Sequence, residues 1–333
     1  MTDTAEQGST TGSGPSADRR TTKVAIVGAG AVGATMAYAA LMRGAARTVA
    51  LYDINKAKVE AEALDLSHGI QFVPMAEVVG SDDVAVCADA DVVMVTAGAK
   101  QKPGQTRIDL AENTISLVRS MLPSLVEVAP NATFVMVTNP VDIVTYAALK
   151  ISGLPPARLF GSGTVLDSSR LRYLIANHTG VAVQNVHAYI AGEHGDTEFP
   201  LWSSASIGGV PLLDWRGSRS AGPLTEEVRE TMTREVIESA YRIIAGKGAT
   251  NYAIALAGSR IIEAVLRDER RVLPVSTLLD GYHGISDICL SVPTVVGRGG
   301  AERQLEIPMS DDEQASLRRS AEALRAVAQR FEL

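Results

Sequence analysis

The chain has 333 residues, 46% of them apolar and 21% charged, and a formal net charge of −7. This is the balance of a globular protein with enough length for two hydrophobic cores. The acidic surplus argues against nucleic acid or an anionic membrane surface as the main partner, and no unbroken apolar run is long enough to cross a bilayer.

Residues 1–20 are rich in Ser, Thr and Gly. They lack the apolar core of a secretory signal, and Asp3, Glu6 and Asp18 are foreign to transit peptides, so a disordered tail is expected. An apolar strand at 24–27 then runs into three glycines spaced G-x-G-x-x-G: Gly28, Gly30 and Gly33. In that pattern the first glycine permits a tight turn, the second lets backbone approach a pyrophosphate, and the third lets the next helix pack on the strand. The helix N-terminus offers free N–H groups to the phosphate. Asp53 ends the next apolar run, TVALYD, 20 residues after Gly33. A carboxylate there accepts hydrogen bonds from an adenosine ribose and repels a 2′-phosphate, so NAD is the expected cofactor. A bare glycine pattern also occurs in turns that bind nothing; strand, helix and acid at these distances are what make it a dinucleotide site.

Strands and helices continue to alternate, with a strand at 49–52 and a helix at 56–68. The β-branched runs at 92–96 and 133–138 are of the buried parallel type. Between them, 109–128 reads as a helix interrupted near Pro123. These elements predict a doubly wound parallel sheet, with ligands beyond the carboxyl ends of its strands, at Gly28, Asp53, Ala97, Gly98 and Asn139.

The second half differs. A helix at 165–177 leads to strand-like segments at 186–190 and 206–211, long helices at 225–245 and 250–267, and strands at 271–279 and 288–296. The last helix starts at Ser310, where Ser310 and Glu313 form a capping box, and Leu317, Leu324 and Val327 mark its buried face. That is an α+β domain. Cys87 and Cys289 lie far apart and form no metal-ligand spacing. Reduced thiols in a cytoplasmic protein, and no metal, are expected.

Six separate segments carry a resemblance: GAGAVG (28–33), TAGAKQKPGQTRIDL (96–110), TNPVDI (138–143), GSGTVLDSSRLR (161–172), AGEHGDTEF (191–199) and GKGATNYAIA (246–255). From about Thr22 to the C-terminus the chain resembles the L-lactate/malate dehydrogenases, specifically the bacterial L-lactate dehydrogenases. The resemblance implies an NAD-binding Rossmann domain at 21–163 and an α+β catalytic domain at 164–333. It implies reversible reduction of pyruvate to (S)-lactate by NADH, in a homotetramer.

The family's roles fall on residues whose chemistry suits them. His194 matches the proton donor and acceptor, since an imidazole changes charge near neutral pH. Out of context a lone histidine is more often structural; the GEHGD setting reverses that. Asp167 matches the carboxylate that accepts a hydrogen bond from the other ring nitrogen. Arg170, three residues on and on the same helix face, matches the fork that holds the substrate carboxylate. Arg107 matches the arginine that polarises the reacting carbonyl, at the end of a segment whose Gly98, Pro103 and Gly104 suit a mobile lid. Gln101 stands where malate dehydrogenases carry an arginine for a second carboxylate, which implies preference for pyruvate over oxaloacetate. Thr250 matches a residue on the methyl side of the substrate. Asn139 precedes Pro140, where the family has a cis peptide facing nicotinamide and substrate. Val32, Lys58, Gly98, Ala99 and Val137 match further cofactor contacts.

Arg172 and His187 match the two positions that bind fructose 1,6-bisphosphate in allosteric bacterial members. Two residues apart on a helix, Arg172 faces away from Arg170. Cationic groups gathered across a two-fold axis repel, and a bisphosphate would neutralise them and favour the high-affinity state. Two other readings remain open at this point: a dehydrogenase for malate or another 2-hydroxy acid, and a non-catalytic NAD-binding protein on the same fold.

Overall fold

The computed structural model describes residues 21–98, 107–217 and 222–333, and of residues 107 and 108 the backbone alone. The expected tail at 1–20, the candidates Ala99 and Gln101, and the side chain of Arg107 lie outside the described residues.

The first half lays down six strands: β1 (Lys23–Val27), β2 (Thr48–Tyr52), β3 (Glu77–Ser81), β4 (Val92–Val95), β5 (Thr133–Met136) and β6 (Leu159–Gly161). Helices α1 (Ala31–Met42), α2 (Lys56–His68), α3 (Arg107–Val128) and α4 (Val141–Ser152) connect them. All pairings among these strands are parallel, in the order β3-β2-β1-β4-β5-β6. The chain first winds outward from β1 to β3 and then returns to β4 on the other side of β1. Between β1 and β4 the winding reverses, and a crevice opens there at the carboxyl ends of the strands.

The inner strands β1, β4, β5 and β6 bury both faces, whereas the edge strand β3 buries neither fully, and the pleat sorts the side chains by period two. Val24 and Ile26 of β1, with Val92 and Met94 of β4, join one core; Ala25, Val27, Val93 and Val95 join the other. Each fully buried Val, Leu or Ile contributes about 1.5–3 kcal/mol of transfer free energy.

The second half contains α5 (Val165–Thr179) and five two-residue strands, β7 (Val186–His187), β8 (Ile190–Ala191), β9 (Phe199–Pro200), β10 (Ser206–Ile207) and β11 (Val210–Pro211). There follow α6 (Glu226–Lys247), α7 (Tyr252–Leu266), β12 (Arg271–Leu279), β13 (Ile288–Gly297), β14 (Gly300–Gln304) and α8 (Asp311–Arg330). Strands β12 to β14 do not form a sheet of their own. They extend the first sheet antiparallel beyond β6, through Ser276 opposite Gly161. The 186–190 segment, expected as one strand, divides into β7 and β8, which belong to different small sheets. Helix α8 opens on the expected capping box: Ser310 Oγ accepts from Glu313 N at 3.2 Å, and Glu313 Oε2 accepts from Ser310 N at 2.9 Å. Leu317 and Leu324 are buried and Val327 half-buried.

The expected break near Pro123 is absent; α3 runs unbroken to Val128. Pro123 removes one N–H that would have bonded the carbonyl of Arg119, but both residues lie on the exposed side, where water can serve that carbonyl. Val118, Leu122 and Leu125, all at 0% exposure on the opposite side, hold the helix to the sheet.

A buried carboxylate ties the two halves together. Glu263 of α7 is 2% exposed and receives Arg43, just past the end of α1, through Nε at 3.0 Å and a terminal nitrogen at 2.7 Å. Arg260 donates to the same carboxylate, and Arg267 lies 3.3 Å from it. Burial pushes the Glu263 carboxyl up, but the arginine hydrogen bonds and charges outweigh that and hold it below its ordinary value. Its stabilisation is therefore complete above the unfolded value of about 4.3 and is lost as pH falls through the folded one. Glu263→Gln should destabilise the protein by about 2 kcal/mol at neutral pH, less than for a fully buried pair because the arginines it abandons are partly exposed. Thermal melts at a series of pH values should show the gap between variant and wild type closing on acidification. An equal gap at every pH would refute the ion-pair account.

Candidate active site

The glycine loop after β1 makes the floor of the crevice. Gly28 has φ +100°, and a Cβ there would lie 2.7 Å from the backbone nitrogen of Ala97 after β4. A Cβ on Gly33 would lie 1.8 Å from the Gly28 carbonyl oxygen, so α1 can approach the loop only with glycine at that position. At Gly30 the reverse holds: a Cβ would meet nothing within 4 Å. That open space sits at the N-terminus of α1, where backbone N–H groups favour an anion, and it fits a pyrophosphate. Asp53 does more than await a ribose. Its Oδ2 accepts from Ala29 N at 2.7 Å and its Oδ1 from Asn55 N at 2.9 Å, so it ties the end of β2 to the glycine loop. Val32 is half-buried, Val137 is buried at the end of β5, and Gly98 abuts Thr138. The Lys58 side chain is exposed, and its backbone N–H is spent on the Asn55 cap of α2.

Beside the crevice lies a cavity of about 290 Å³. Its apolar side comes from Ile143, Ile237, Ile244 and Leu324; its polar side carries Asn139, Asp167, Arg170, His194 and Glu198. The peptide between Asn139 and Pro140 is cis, as the resemblance implies. Asp167, in the first turn of α5, is 1% exposed, and both its oxygens are used. Oδ1 accepts from Arg170 at 2.7 Å and Oδ2 from His194 Nδ1 at 2.6 Å. With Nδ1 committed to a carboxylate, Nε2 is the ring nitrogen left to the cavity.

The electrostatics of this wall follow from burial and pairing. Desolvation pushes Asp167 up, but the His194 charge and hydrogen bond and the Arg170 charge win, and its carboxyl sits below the usual carboxylate value. Desolvation alone would lower His194; Asp167 and, more weakly, Glu198 reverse this and hold the imidazole well above its ordinary value. The site therefore favours the protonated imidazole more than water does. Glu198 is 6% exposed, and burial followed by the Asp167 charge pushes its carboxyl up to about 7.

The segment carrying His194 is held from three sides. Asp142, in the first turn of α4, accepts from His194 N at 2.7 Å. Ser320 of α8 accepts from Glu193 N at 2.6 Å. Gly192 exchanges both backbone hydrogen bonds with Ser291 of β13, at 3.0 and 2.9 Å. Asp142 is itself 1% exposed, accepts from Ser276 Oγ at 2.6 Å, and is pushed up to about 6 by burial. Asp142 and Glu198 lie in the segments TNPVDI and AGEHGDTEF, but no role is expected of either from the sequence. The signal for Asp142 was a lone acid in the run 141–149, every residue of which is buried. Ser320, one serine among several in a polar helix, gave no signal.

Three candidates, Thr250, Arg172 and His187, lie apart from this cluster. Thr250 is half-buried between α6 and α7 and is not among the residues lining the cavity. Arg172 leaves α5 on another side, as its spacing from Arg170 implies: its Nε donates to Ala188 O at 2.8 Å and its guanidinium stacks 4.9 Å above the Tyr189 ring. The neighbouring His187 is exposed. Burial pulls Arg172 below its ordinary value, with Tyr189 opposing.

Comparison with known proteins agrees with this architecture. The family model for the lactate/malate dehydrogenase NAD-binding domain matches residues 22–161, and that for the lactate/malate dehydrogenase alpha/beta C-terminal domain matches 164–332. The L-lactate dehydrogenase of Bifidobacterium animalis subsp. lactis is 59% identical over 310 residues, covering 93% of this chain and 97% of its own. That of Thermoanaerobacter sp. strain X514 is 46% identical over 312 residues, covering 93% and 99%. The crystal structure of the minor L-lactate dehydrogenase from Enterococcus mundtii superposes with a TM-score of 0.88 at 38% identity, covering 93% of this chain and 98% of that one. With a glycine-lined crevice, a carboxylate–imidazole pair beside it and matches along nearly its whole length, the chain belongs to the lactate/malate dehydrogenase family.

Proposed function

We propose that this chain is an NAD-dependent L-lactate dehydrogenase that reversibly reduces pyruvate to (S)-lactate, with residues 21–163 holding the cofactor and 164–333 the substrate. The observation that carries the reading is the chain Arg170–Asp167–His194, linked at 2.7 and 2.6 Å, on the wall of a small cavity at the carboxyl ends of the strands. The names of the relatives supply the substrate.

Gly28, Gly30, Gly33 and Asp53 would hold the dinucleotide, with Val32, Gly98, Ala99, Val137, Asn139 and Lys58 as lesser contacts. Bound there, the dihydronicotinamide supplies hydride to C2 of the keto acid. The remaining work belongs to the chain. Arg170 spends one nitrogen on Asp167 and keeps further N–H groups for the substrate carboxylate. Protonated His194 gives its Nε2 proton to the oxygen as the carbonyl becomes an alkoxide, and is left neutral with Nδ1–H still on Asp167. In the oxidative direction the same nitrogen takes the hydroxyl proton. By the resemblance, Arg107 would supply a positive charge to the oxyanion as it develops. Asn139, on the cavity wall, would meet nicotinamide and substrate, and Thr250, which does not line the cavity, is assigned to the methyl side by the resemblance alone. Arg172 and His187 form the activator site for fructose 1,6-bisphosphate in a homotetramer; the hydrogen bond from Arg172 to Ala188, the residue next to His187, supports their acting together. A cytoplasmic location belongs to the same proposal. No helix among the described residues is long and apolar enough to cross a membrane.

An assay of NADH consumption with pyruvate, oxaloacetate and 2-oxoisocaproate should favour pyruvate. Preference for another acid would make this a different 2-hydroxy acid dehydrogenase, and no consumption with any of them would make it a non-catalytic binder. Gln101 decides the preference because oxaloacetate would bring an unpaired carboxylate into the site, a cost of about 3–5 kcal/mol. Gln101→Arg should therefore move the kcat/KM ratio toward oxaloacetate by ~100-fold or more; an unchanged ratio refutes the assignment. Fructose 1,6-bisphosphate should raise the rate with pyruvate held below KM. A flat titration with the tetramer intact, as judged by light scattering, removes the activator site from the proposal.

A further inference from the structure

His194 lies between two carboxyl groups, and the reaction as derived uses only one. Donor atoms of Asp167, His194 and Glu198 all lie within 4.8 Å of one another. Glu198 Oε2 sits 3.7 Å from His194 Nδ1, is buried, and has no hydrogen-bond partner among the described residues. Nδ1 is already committed to Asp167 and Asp167 to Arg170, so this is a proton-holding group rather than a metal site.

We propose that Glu198 is a second carboxyl partner of the imidazole, a positioning residue that acts through His194 to set the pH range over which the site keeps the proton for ketone reduction. The inference rests on the proton-donor role given to His194 above. With the imidazole neutral and both carboxyls ionised, one guanidinium faces two carboxylates in a buried site, a net charge of −1. One proton on His194 or on Glu198 restores neutrality, and burial makes neutrality favourable. The pair therefore keeps one proton into a pH range where an isolated imidazole would have lost it, and its titration belongs to both residues together. A carboxyl pushed up to about 7 is what that exchange requires.

Other charged groups face the cluster and stay in place when Glu198 is changed. They are Asp167 and Arg170 from α5, and Asp142 from α4 through the His194 N–H. The loop adds Glu193 and Asp196, and α6 adds Tyr241, whose hydroxyl donates to Asp196 at 3.1 Å. Among the described residues that line the cavity, α3 and α8 contribute apolar ones, Leu110, Ala111, Leu324 and Val327; Arg107, assigned above to the reacting oxygen, is a further charge that Glu198→Gln leaves unchanged.

The test is the pH dependence of both directions in the full-length enzyme, wild type and Glu198→Gln. The alkaline limb of kcat/KM for pyruvate reports loss of the His194 proton; the acid limb for lactate reports the same event from the other side. Glu198→Gln keeps the shape and removes the charge, so both limbs should move to lower pH by about one unit or more. A residue that only filled space would change kcat and leave the limbs where they were, and limbs that stay put in the folded variant overturn the proposal. If Glu198→Gln does not fold, Glu198→Asp, which draws the charge back from Nδ1, should move the limbs the same way by less. Wild type gives a further check: its alkaline limb should lie above the ordinary imidazole value of about 6.5, and a limb at or below it overturns the proposal. Failure of wild type to consume NADH with any 2-keto acid brings down the functional reading and this inference with it. Normal turnover with unmoved limbs brings down the inference alone.

Discussion

The site depends on one buried carboxylate. Asp167 has almost no contact with solvent, and desolvation works against its charge. It remains an anion because each oxygen meets a cation or a strong donor: the Arg170 guanidinium on one side and the His194 imidazole on the other. The N-terminal turn of α5, where it sits, adds a favourable dipole. The consequence is geometric as well as electrostatic. One side chain sets the ring nitrogen that faces the cavity and steadies the fork that would hold a carboxylate, so proton donor and substrate anchor share a common reference.

The segment bearing His194 is short and rich in glycine, and nothing in its own backbone would hold it still. Its order is imported. Asp142 from α4, Ser320 from α8 and Ser291 from β13 each take or give a backbone hydrogen bond along 192–194. Asp142 also receives Ser276, the residue through which β12 meets Gly161 of β6. The seam between the two halves of the sheet and the anchor of the imidazole thus converge on the same buried acid. Displacement of the added strands would be felt at His194 without any residue of the cavity being touched.

Glu263 and Asp167 show how the surroundings set the use of a buried carboxylate. Both are paired with arginine, and both are held below their ordinary values. Around Glu263 the arginines reach solvent and the cluster joins α1 to α7. Around Asp167 one partner is an imidazole, the cavity is small, and a second carboxyl, Glu198, stands 3.7 Å from the ring nitrogen with its Oε2 making no hydrogen bond among the described residues. A site that must accept and release a proton keeps its charges barely balanced, and a joint between helices over-satisfies them.

Local chemistry and period determined much of this protein from the chain alone. The glycine spacing, the acid after the second strand, the alternating apolar runs and the capping box at Ser310 are short-range features, and each appears where those rules place it. The resemblance named His194, Asp167 and Arg170, and a three-residue helical spacing already put the last two on one face. Tertiary structure decided what depends on distant partners. Pro123 stays inside a helix because a buried face outweighs one lost hydrogen bond. The 186–190 segment splits because its two ends pair with different strands. β12 to β14 join the first sheet because Ser276 finds Gly161 across 115 positions of chain. The roles of Asp142, Glu198 and Ser320 come only from proximity in space. Burial, and the balance of charge within a few ångströms, are set by residues far away in sequence, and no local pattern encodes them.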